Sequence, residues 1–321
     1  MASTDFILPG RRNDNIPFFK ASLGKAFANS RATNPRNVEY PWYGYWSQIL
    51  VDLTSEYRRL IVIPQHLLYY TSEEDTSKED ISEEDITVDD PDTSIPSVIT
   101  TPQPHAHEIV PDFAIIRIIL RWRDPEAPKK WRNIKIRHAG VPLLVEIKRA
   151  GSRAATSLEE TLVHMAIAQN EAMLQAAYLF RMIPVQQSVM LMACTGRWWS
   201  CRIVTREEIE NLEDEIDAEF NPDENELDED SDDEIDNDDG IGNELTGNDL
   251  NQLEDEAEDA QDGGEEDEFY LEPIVDEAEL ELPTSEWTKA MRLESRASKQ
   301  KMFLIHRRLG EVVEDDTRTM G

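Results

Sequence analysis

Two kinds of apolar spacing alternate along residues 41–206, and together they predict an α/β domain. Apolar residues at helical spacing predict a first helix from Tyr43 to about Arg59. Runs rich in β-branched residues predict strands over Leu60–Ile63 with Leu67–Tyr70, Glu108–Leu120, Val141–Lys148, Gln187–Cys194 and Trp198–Val204. Ser157, with an acid three residues later, predicts the cap of a long helix that ends near Met182. The predicted order is helix, three strands, helix and a strand pair around a mixed central sheet.

Polar and charged residues dominate outside this domain, which predicts segments that cannot form a core of their own. The predicted segments are a flexible basic arm over residues 1–40, an acidic disordered insertion over 71–104, an acidic disordered segment over 207–282, a basic helix over 283–310 capped by Thr284 or Ser285, and a tail over 311–321.

The formal net charge of −35 hides an uneven distribution. Residues 207–282 hold 37 acidic residues and no Lys or Arg, and residues 72–92 hold 11 acidic residues and one Lys. Of the chain's 32 basic and 67 acidic residues, 31 and 19 remain outside these two stretches. A basic body that carries two acidic segments suits a nucleic-acid partner better than the net charge suggests.

Cysteine content and hydropathy indicate the cellular compartment in which the protein is expected. The two cysteines, Cys194 and Cys201, indicate a reducing compartment rather than a disulfide framework. No apolar run has the length of a membrane span, and the N-terminal stretch has no uninterrupted apolar run typical of a signal peptide. We therefore expect an intracellular protein, nuclear or cytoplasmic, with no membrane partner.

Asp112, Glu146 and Lys148 are the strongest candidates for catalysis, because ionisable side chains at the ends of apolar strands need a reason to be buried there. Glu146 and Lys148 are two residues apart, so on a strand both side chains leave the same face. Asp112 joins them if the two strands pair. Two carboxylates and an ammonium at a sheet edge predict a Mg²⁺ or Mn²⁺ site with a cation beside the attacking water. The alternative is a surface ion-pair cluster.

Gln169 is a polar residue within the apolar stripe predicted for the long helix. Burying its amide costs roughly 1–3 kcal/mol unless it is hydrogen-bonded. The cluster of Glu146 and Lys148 on the sheet is one predicted partner, which would give Gln169 a role in orienting the site. A backbone carbonyl is the other.

The strand order and the motif residues Pro111-Asp112 and Glu146-Ile147-Lys148 together resemble the PD-(D/E)XK nuclease superfamily. The resemblance covers residues 41–206 apart from the acidic insertion. It implies a core of helix, three strands, helix and strand, and hydrolysis of phosphodiester bonds in DNA or RNA. The Gln-x-x-x-Tyr helix signature of some members is absent, because Gln175 and Tyr178 are one residue too close.

The same resemblance implies a role for each candidate residue. Asp112 and Glu146 would bind Mg²⁺ or Mn²⁺, and Lys148 would position or activate the hydrolytic water. Gln169 would support the site from the following helix. Glu56 is the acid of the first helix that we predict to complete the metal site.

A basic stretch between the strands of Asp112 and Glu146 is the predicted nucleic-acid contact, since cations beside tryptophans suit phosphate contact and base stacking. Its members are Arg121, Arg123, Lys129, Lys130, Arg132, Lys135 and Arg137. The alternative is a solvated hairpin tip.

Two functions from different classes follow from these patterns. The motif residues favour a metal-dependent nuclease. The charge distribution favours a catalytically inactive nuclease fold that serves as a scaffold, with the acidic segment of residues 207–282 engaging a basic partner such as histones.

Overall fold

The computed structural model describes residues 5–13, 15–70, 107–122, 134–151, 158–219 and 281–319. The chain divides into two compact units, residues 1–211 with 269–321 and residues 212–268. Of the second unit, the described residues 212–219 form the end of a helix.

The described residues form helices on both sides of a central sheet in the first unit. The helices are α1 (Ile16–Asn29), α2 (Tyr40–Thr54), α3 (Leu158–Met182), α4 (Arg206–Glu219) and α5 (Arg296–Thr319). The strands are β1 (Leu60–Pro64), β2 (Leu68–Tyr70), β3 (His107–Ile109), β4 (Phe113–Trp122), β5 (Ile134–Lys148), β6 (Ser188–Thr195), β7 (Trp198–Thr205) and β8 (Met291–Arg292). No helix in this part of the chain is long and apolar enough to cross a membrane.

The main sheet has the strand order β1-β4-β5-β6-β7-β8. Strands β1, β4 and β5 are antiparallel neighbours, whereas β6 runs parallel to β5. Strands β7 and β8 continue the sheet in antiparallel fashion. Helix α3 provides the long connection that a parallel pair requires. The prediction of an α/β protein with a mixed central sheet is therefore confirmed.

The central strands are apolar on both faces because helices cover both. Ile115 and Val145 belong to a core cluster that also contains residues of α2 and α5. Their sequence neighbours Ala114 and Leu144 belong to a second cluster with residues of α3. This alternation explains why the strands read as continuous apolar runs rather than as alternating patterns.

The strand predicted over Glu108–Leu120 is divided in the structure. Pro111 and Asp112 separate β3 from β4, and β3 pairs with β2 in a small sheet of its own. The run from Leu67 therefore does not continue the main sheet. Proline lacks the amide hydrogen of a ladder, which is why it marks the break.

The prediction of a flexible arm over residues 1–40 is wrong for helix α1. Its buried residues, Ala21 and Ala28, are small, and Gly24 faces the backbone of Tyr45, where a Cβ would lie 3.1 Å away. Phe19 and Leu23 are exposed instead. A buried face made of alanine and glycine gives no apolar stripe to find in a sequence.

The predicted C-terminal helix has different bounds in the structure. Helix α5 begins at Arg296 and continues through Gly310 to Thr319. A Cβ at Gly310 would lie 2.7 Å from the Tyr57 hydroxyl, so the glycine permits close packing and does not end the helix. Ser298 accepts a hydrogen bond from the buried indole of Trp199 (2.9 Å), which joins α5 to the sheet.

The predicted disordered acidic segment begins with a helix. Residues 207–219 belong to α4, and Ile209 is buried in the core cluster with α3. The prediction is wrong for these residues. Residues 220–280 and the acidic insertion lie outside the described residues.

Candidate active site

Asp112 directly precedes β4, and the pairing of β4 with β5 sets it opposite the end of β5 where Glu146 lies. The register pairs Phe113 with Val145, one residue away from each. Asp112 is 8% exposed, and its Oδ2 accepts a hydrogen bond from the backbone N–H of Ile147 (2.6 Å). The predicted convergence of the two strands is therefore present.

Glu146 and Lys148 leave the same face of β5, as their spacing predicts. The Lys148 ammonium donates to Glu146 Oε1 (2.6 Å) and to Glu171 Oε2 on α3 (2.8 Å). Glu146 is 4% exposed, and its Oε2 accepts a hydrogen bond from the side-chain amide of Gln175 (2.6 Å). We call Asp112, Glu146, Lys148, Glu171 and Gln175 the carboxylate–lysine cluster.

Burial dominates the electrostatics of the two strand carboxyls. It raises the pKa of Asp112 to about 6, against the hydrogen bonds from Tyr43 and Ile147 that lower it. Burial and then the charge of Asp112 raise the pKa of Glu146 to about 8. Both carboxyls therefore retain protons closer to neutral pH than ordinary carboxyls do, which is typical of functional sites.

Lys148 is the fixed cation of the cluster. Burial alone would lower its pKa, but the hydrogen bonds with Glu146 and Glu171 outweigh burial and hold this pKa above its ordinary value. Burial would raise the pKa of Glu171, but its contacts with Glu146 and Lys148 lower it overall. The lysine therefore donates hydrogen bonds at any physiological pH and does not accept a proton.

Helix α2 contributes Tyr43 to the site. The Tyr43 hydroxyl lies 2.6 Å from Asp112 Oδ1 and 2.7 Å from Oε1 of Glu39. A hydroxyl has one proton, so Tyr43 donates to only one of the two carboxyls at a time. Glu39 directly precedes α2, and it is linked to Asp112 through the hydroxyl of Tyr43.

The structure does not bring Glu56 to this cluster. Glu56 lies beyond the C-terminal end of α2, where it pairs with Arg12 (2.6 Å) and lies 3.4 Å from His306. Tyr43 and the end of the helix at Thr54 are separated by about 16 Å at 1.5 Å per residue. Glu56 and Asp112 are therefore at opposite ends of the helix.

Gln169 also lies outside the cluster, because its amide donates to the Ser200 hydroxyl on β7 (2.9 Å). Gln175, which the sequence analysis did not select as a site residue, contacts Glu146 instead. Gln175 is 1% exposed and lies on the face of α3 formed by Ala168, Ala172 and Leu179. At 100° per residue, this face is rotated by about 60° from the stripe that the larger apolar residues suggest. The available sequence signal was its spacing of three residues from Ala172 and four from Leu179, which places Gln175 on the same face as both.

The predicted nucleic-acid residues fall partly outside the described structure. Arg123, Lys129, Lys130 and Arg132 are not among the described residues, and the side chain of Arg121 is not described either.

Lys135 and Arg137 lie near the start of β5. Arg137 precedes Glu146 by nine residues, or roughly 30 Å of extended strand. This part of the hairpin is therefore at the end of the sheet opposite to the carboxylate–lysine cluster.

The cluster offers oxygen ligands suited to a hard divalent cation. Asp112 and Glu146 supply two carboxylates from adjacent strands. The Oε1 atom of Gln175 is buried beside them and has no hydrogen-bond partner among the described residues. No group of three or more His, Cys, Asp or Glu side chains in the described ranges is arranged to hold a metal ion. The donor set of two carboxylates and an unpaired amide oxygen fits Mg²⁺ or Mn²⁺ better than a soft metal.

Comparison with known proteins adds no family to this geometry: no protein-family model, no curated protein and no solved structure matches the chain.

Proposed function

We propose that this protein is a nuclease of PD-(D/E)XK type that hydrolyses phosphodiester bonds in DNA or RNA with Mg²⁺ or Mn²⁺. The observation that carries the proposal is the contact of Glu146 with Lys148 (2.6 Å) at the strand end opposite Asp112. These are the three motif residues, and they come from two different strands. Isolated surface ion pairs contribute little to stability and are not expected to be buried to this degree.

The topology supports the same proposal. The superfamily core implied by the resemblance is a helix, three strands, a helix and a strand. Helix α2, strands β1, β4 and β5, helix α3 and strand β6 follow that order in the chain. The three strands are antiparallel and β6 is parallel to β5, so the motif of β5 lies at the centre of the sheet.

Asp112 and Glu146 would hold the cation, which supplies Lewis-acid polarisation of the phosphodiester and lowers the pKa of a bound water. Lys148 would stabilise the negative charge that develops on the phosphate oxygens, because its ammonium stays protonated. It would not act as a general base.

Three neighbours would hold the carboxylates in position. The Ile147 N–H and the Tyr43 hydroxyl fix the two oxygens of Asp112. The amide of Gln175 fixes Glu146 from α3. Hydrogen bonds of this kind orient ligands, and losing one typically costs about 10- to 100-fold in metal affinity or activity.

The test is metal-dependent cleavage by the full chain. Labelled single- and double-stranded DNA and RNA are incubated with Mg²⁺ or Mn²⁺ and with a chelator. We expect cleavage with metal, and its loss in Asp112→Asn and Lys148→Ala. Lys20→Ala, which changes an exposed lysine on α1, is the matched control and should cleave as the parent does. Cleavage that survives both site variants would refute the assignment of these residues.

A second candidate function rests on the charge distribution. The 37 acidic residues of 207–282 favour a scaffold whose nuclease-like domain has no activity and whose acidic segment binds a basic protein such as a histone. Divalent metal separates the two functions. Mg²⁺ should raise the melting temperature of the nuclease but not that of Asp112→Asn, whereas a scaffold without a metal site should show the same response in both.

A further inference from the structure

Arg149, the residue that follows Lys148, lies at the end of β5 beside the carboxylate–lysine cluster. The strand ends at Lys148, so the alternation of faces no longer applies, and the side chain of Arg149 turns toward α3. Its Nε–H donates to Nε2 of His164 (3.3 Å), and its Nη2 donates to Oε1 of Glu160 (3.3 Å). Arg149 therefore extends the contacts between β5 and α3 beyond the cluster.

The contacts between β5 and α3 form one continuous series. Its pairs, from the inner to the outer end, are Glu146 with Gln175, Lys148 with Glu171, and Arg149 with His164. At 100° per residue, the three helix residues lie within about 40° of one another, so they share one face of α3. His164 is seven residues from Glu171, or about 10 Å along the helix axis. This is about three nucleotides of a stacked strand at 3.4 Å each, so a strand cut at Lys148 can reach Arg149.

Three neighbours hold the backbone that presents Arg149. The N–H of Gly196 donates to the carbonyl of Lys148 (3.3 Å), and the buried hydroxyl of Thr195 donates to the carbonyl of Arg149 (2.7 Å). The side-chain amide of Asn37 donates to the next two carbonyls in the chain (2.8 and 3.0 Å). A side chain on a backbone fixed in this way loses less freedom when it binds, which favours a ligand contact.

His164 provides an independent observation, because its contact with Arg149 determines its tautomer. A guanidinium nitrogen can only donate, so Nε2 of His164 accepts, and Nδ1 of the neutral ring carries the proton. His164 is 9% exposed, and its Nδ1 has no hydrogen-bond partner among the described residues. Buried donors rarely lack an acceptor. The pair of Arg149 and His164 therefore indicates an acceptor from outside the described chain.

The outer end of the Arg149 guanidinium is open to such an acceptor. His164 and Glu160 contact its Nε and Nη2 atoms, and Nη1 donates to none of the residues that the structure describes. The side chains of Arg149 and Glu160 are 50% and 35% exposed, so their ion pair contributes little to stability. The hydrogens of Nη1 and Nη2 at this end match two oxygens of a phosphate group.

We propose that Arg149 binds a phosphate of the nucleic-acid strand within about three nucleotides of the bond that is cut, and that His164 positions its guanidinium. The inference rests on the proposed function for the identity of the ligand. The neutral imidazole of His164 holds Nε, which directs the Nη1 and Nη2 hydrogens toward the phosphate.

The test measures binding in chelator. Fluorescence anisotropy of labelled single- and double-stranded DNA and RNA gives the Kd of the full chain at several salt concentrations. The parent is compared with Arg149→Gln, Arg149→Lys, His164→Phe and the double variant of Arg149→Gln with His164→Phe. Arg58→Gln, which changes an exposed arginine beyond the C-terminal end of α2, is the matched control. Urea midpoints establish that each variant folds.

We expect Arg149→Gln to weaken binding about tenfold. It should also reduce the slope of log Kd against log salt by about 0.7 for single strands and about 0.9 for duplexes, the values for one phosphate contact. Arg58→Gln should leave both quantities unchanged.

The other variants separate the charge of Arg149 from its orientation. His164→Phe keeps a ring beside Arg149 but removes the acceptor, so it should weaken binding roughly threefold without changing the salt slope. Arg149→Lys, which keeps the charge without the planar fork, should do the same. The double variant should bind as Arg149→Gln alone does, because His164 acts through the arginine.

Parent affinity and parent salt slope in Arg149→Gln would overturn the proposal, and so would the absence of binding by the parent at low salt. A loss in His164→Phe that adds in full to the loss in Arg149→Gln would disprove the positioning role. Displacement of the oligonucleotide by inorganic phosphate at constant ionic strength, if abolished by Arg149→Gln, would assign the contact to a free anion and also overturn the proposal.

The cleavage assay distinguishes a failure of this inference from a failure of the nuclease assignment. If the parent binds through Arg149 but does not cleave, the phosphate contact stands without the enzyme. If Lys148→Ala abolishes cleavage while Arg149→Gln binds and cleaves as the parent does, the nuclease stands without this contact.

Discussion

The raised pKa of Glu146 predicts that the metal-free protein loses stability as pH rises. In the unfolded chain this carboxyl ionises near 4.5, whereas in the folded protein it holds its proton to about pH 8. A group whose pKa is higher in the folded state stabilises it below the unfolded value, and this stability is lost as pH rises through the folded value. Asp112, with a pKa of about 6, adds an effect of the same sign at the acidic end of the range.

The size of the effect follows from the same two pKa values. Each pH unit between them costs about 1.4 kcal/mol of folding free energy, so Glu146 alone accounts for roughly 4 kcal/mol between pH 5 and pH 8. Glu146→Gln should remove this dependence, because the amide has the shape of the neutral acid and does not ionise. The parent should therefore lose roughly 4 kcal/mol more than the variant over this range.

Urea unfolding followed by tryptophan fluorescence, in chelator at pH 5, 6, 7 and 8, measures the difference directly. The chain has seven tryptophans to report on unfolding. The acidic segments are common to both proteins, so their contribution cancels in the comparison. If the free energies of the parent and Glu146→Gln run parallel from pH 5 to pH 8, the carboxyl is not buried in the way the structure shows.

Three further substitutions test contacts around this site and in the core. Gln175→Met removes a buried hydrogen-bond donor to Glu146, and a hydrogen bond to a charged group is worth about 1.5–3 kcal/mol, so the variant should raise the pH at which Glu146 ionises and reduce cleavage. Gln169→Met, on the same helix, should change neither property, and the reverse pattern in the pH–stability curves would contradict these contacts. Ser298→Ala leaves a buried indole N–H without its acceptor and should lower the free energy of unfolding by about 1–3 kcal/mol, which an unchanged urea midpoint would disprove. Gly196 has a φ of 55°, and a Cβ at this position would lie 2.7 Å from the Cβ of Ala150. Gly196→Ala should therefore lower the melting temperature by several degrees, and a melting curve that superposes on the parent's would contradict the turn geometry.

The sheet and the strand-borne part of the site were predictable because strand geometry is determined by short-range spacing. Glu146 and Lys148 are two residues apart, and a period of two leaves no choice of face. The pairing of Phe113 with Val145 then sets Asp112 opposite Glu146.

The helix-borne part was not predictable in the same way, because the rotation of a helix depends on what it packs against. Helix α3 approaches the sheet through Ala168, Ala172 and Ala176, whose small side chains allow close contact but carry little weight in an apolar pattern. The predicted stripe included Ala172 and Ala176 and placed Gln169 over the cluster, whereas the buried face also contains Ala168 and Leu179 and is rotated so that Gln175 lies there. Helix α1 was missed for the same reason, since its buried face is also alanine and glycine. The helical neighbours of the two glutamines do not separate them, because Gln169 has two alanines three residues away and Gln175 has one. Only the packing of the helix on the sheet decides which amide reaches Glu146.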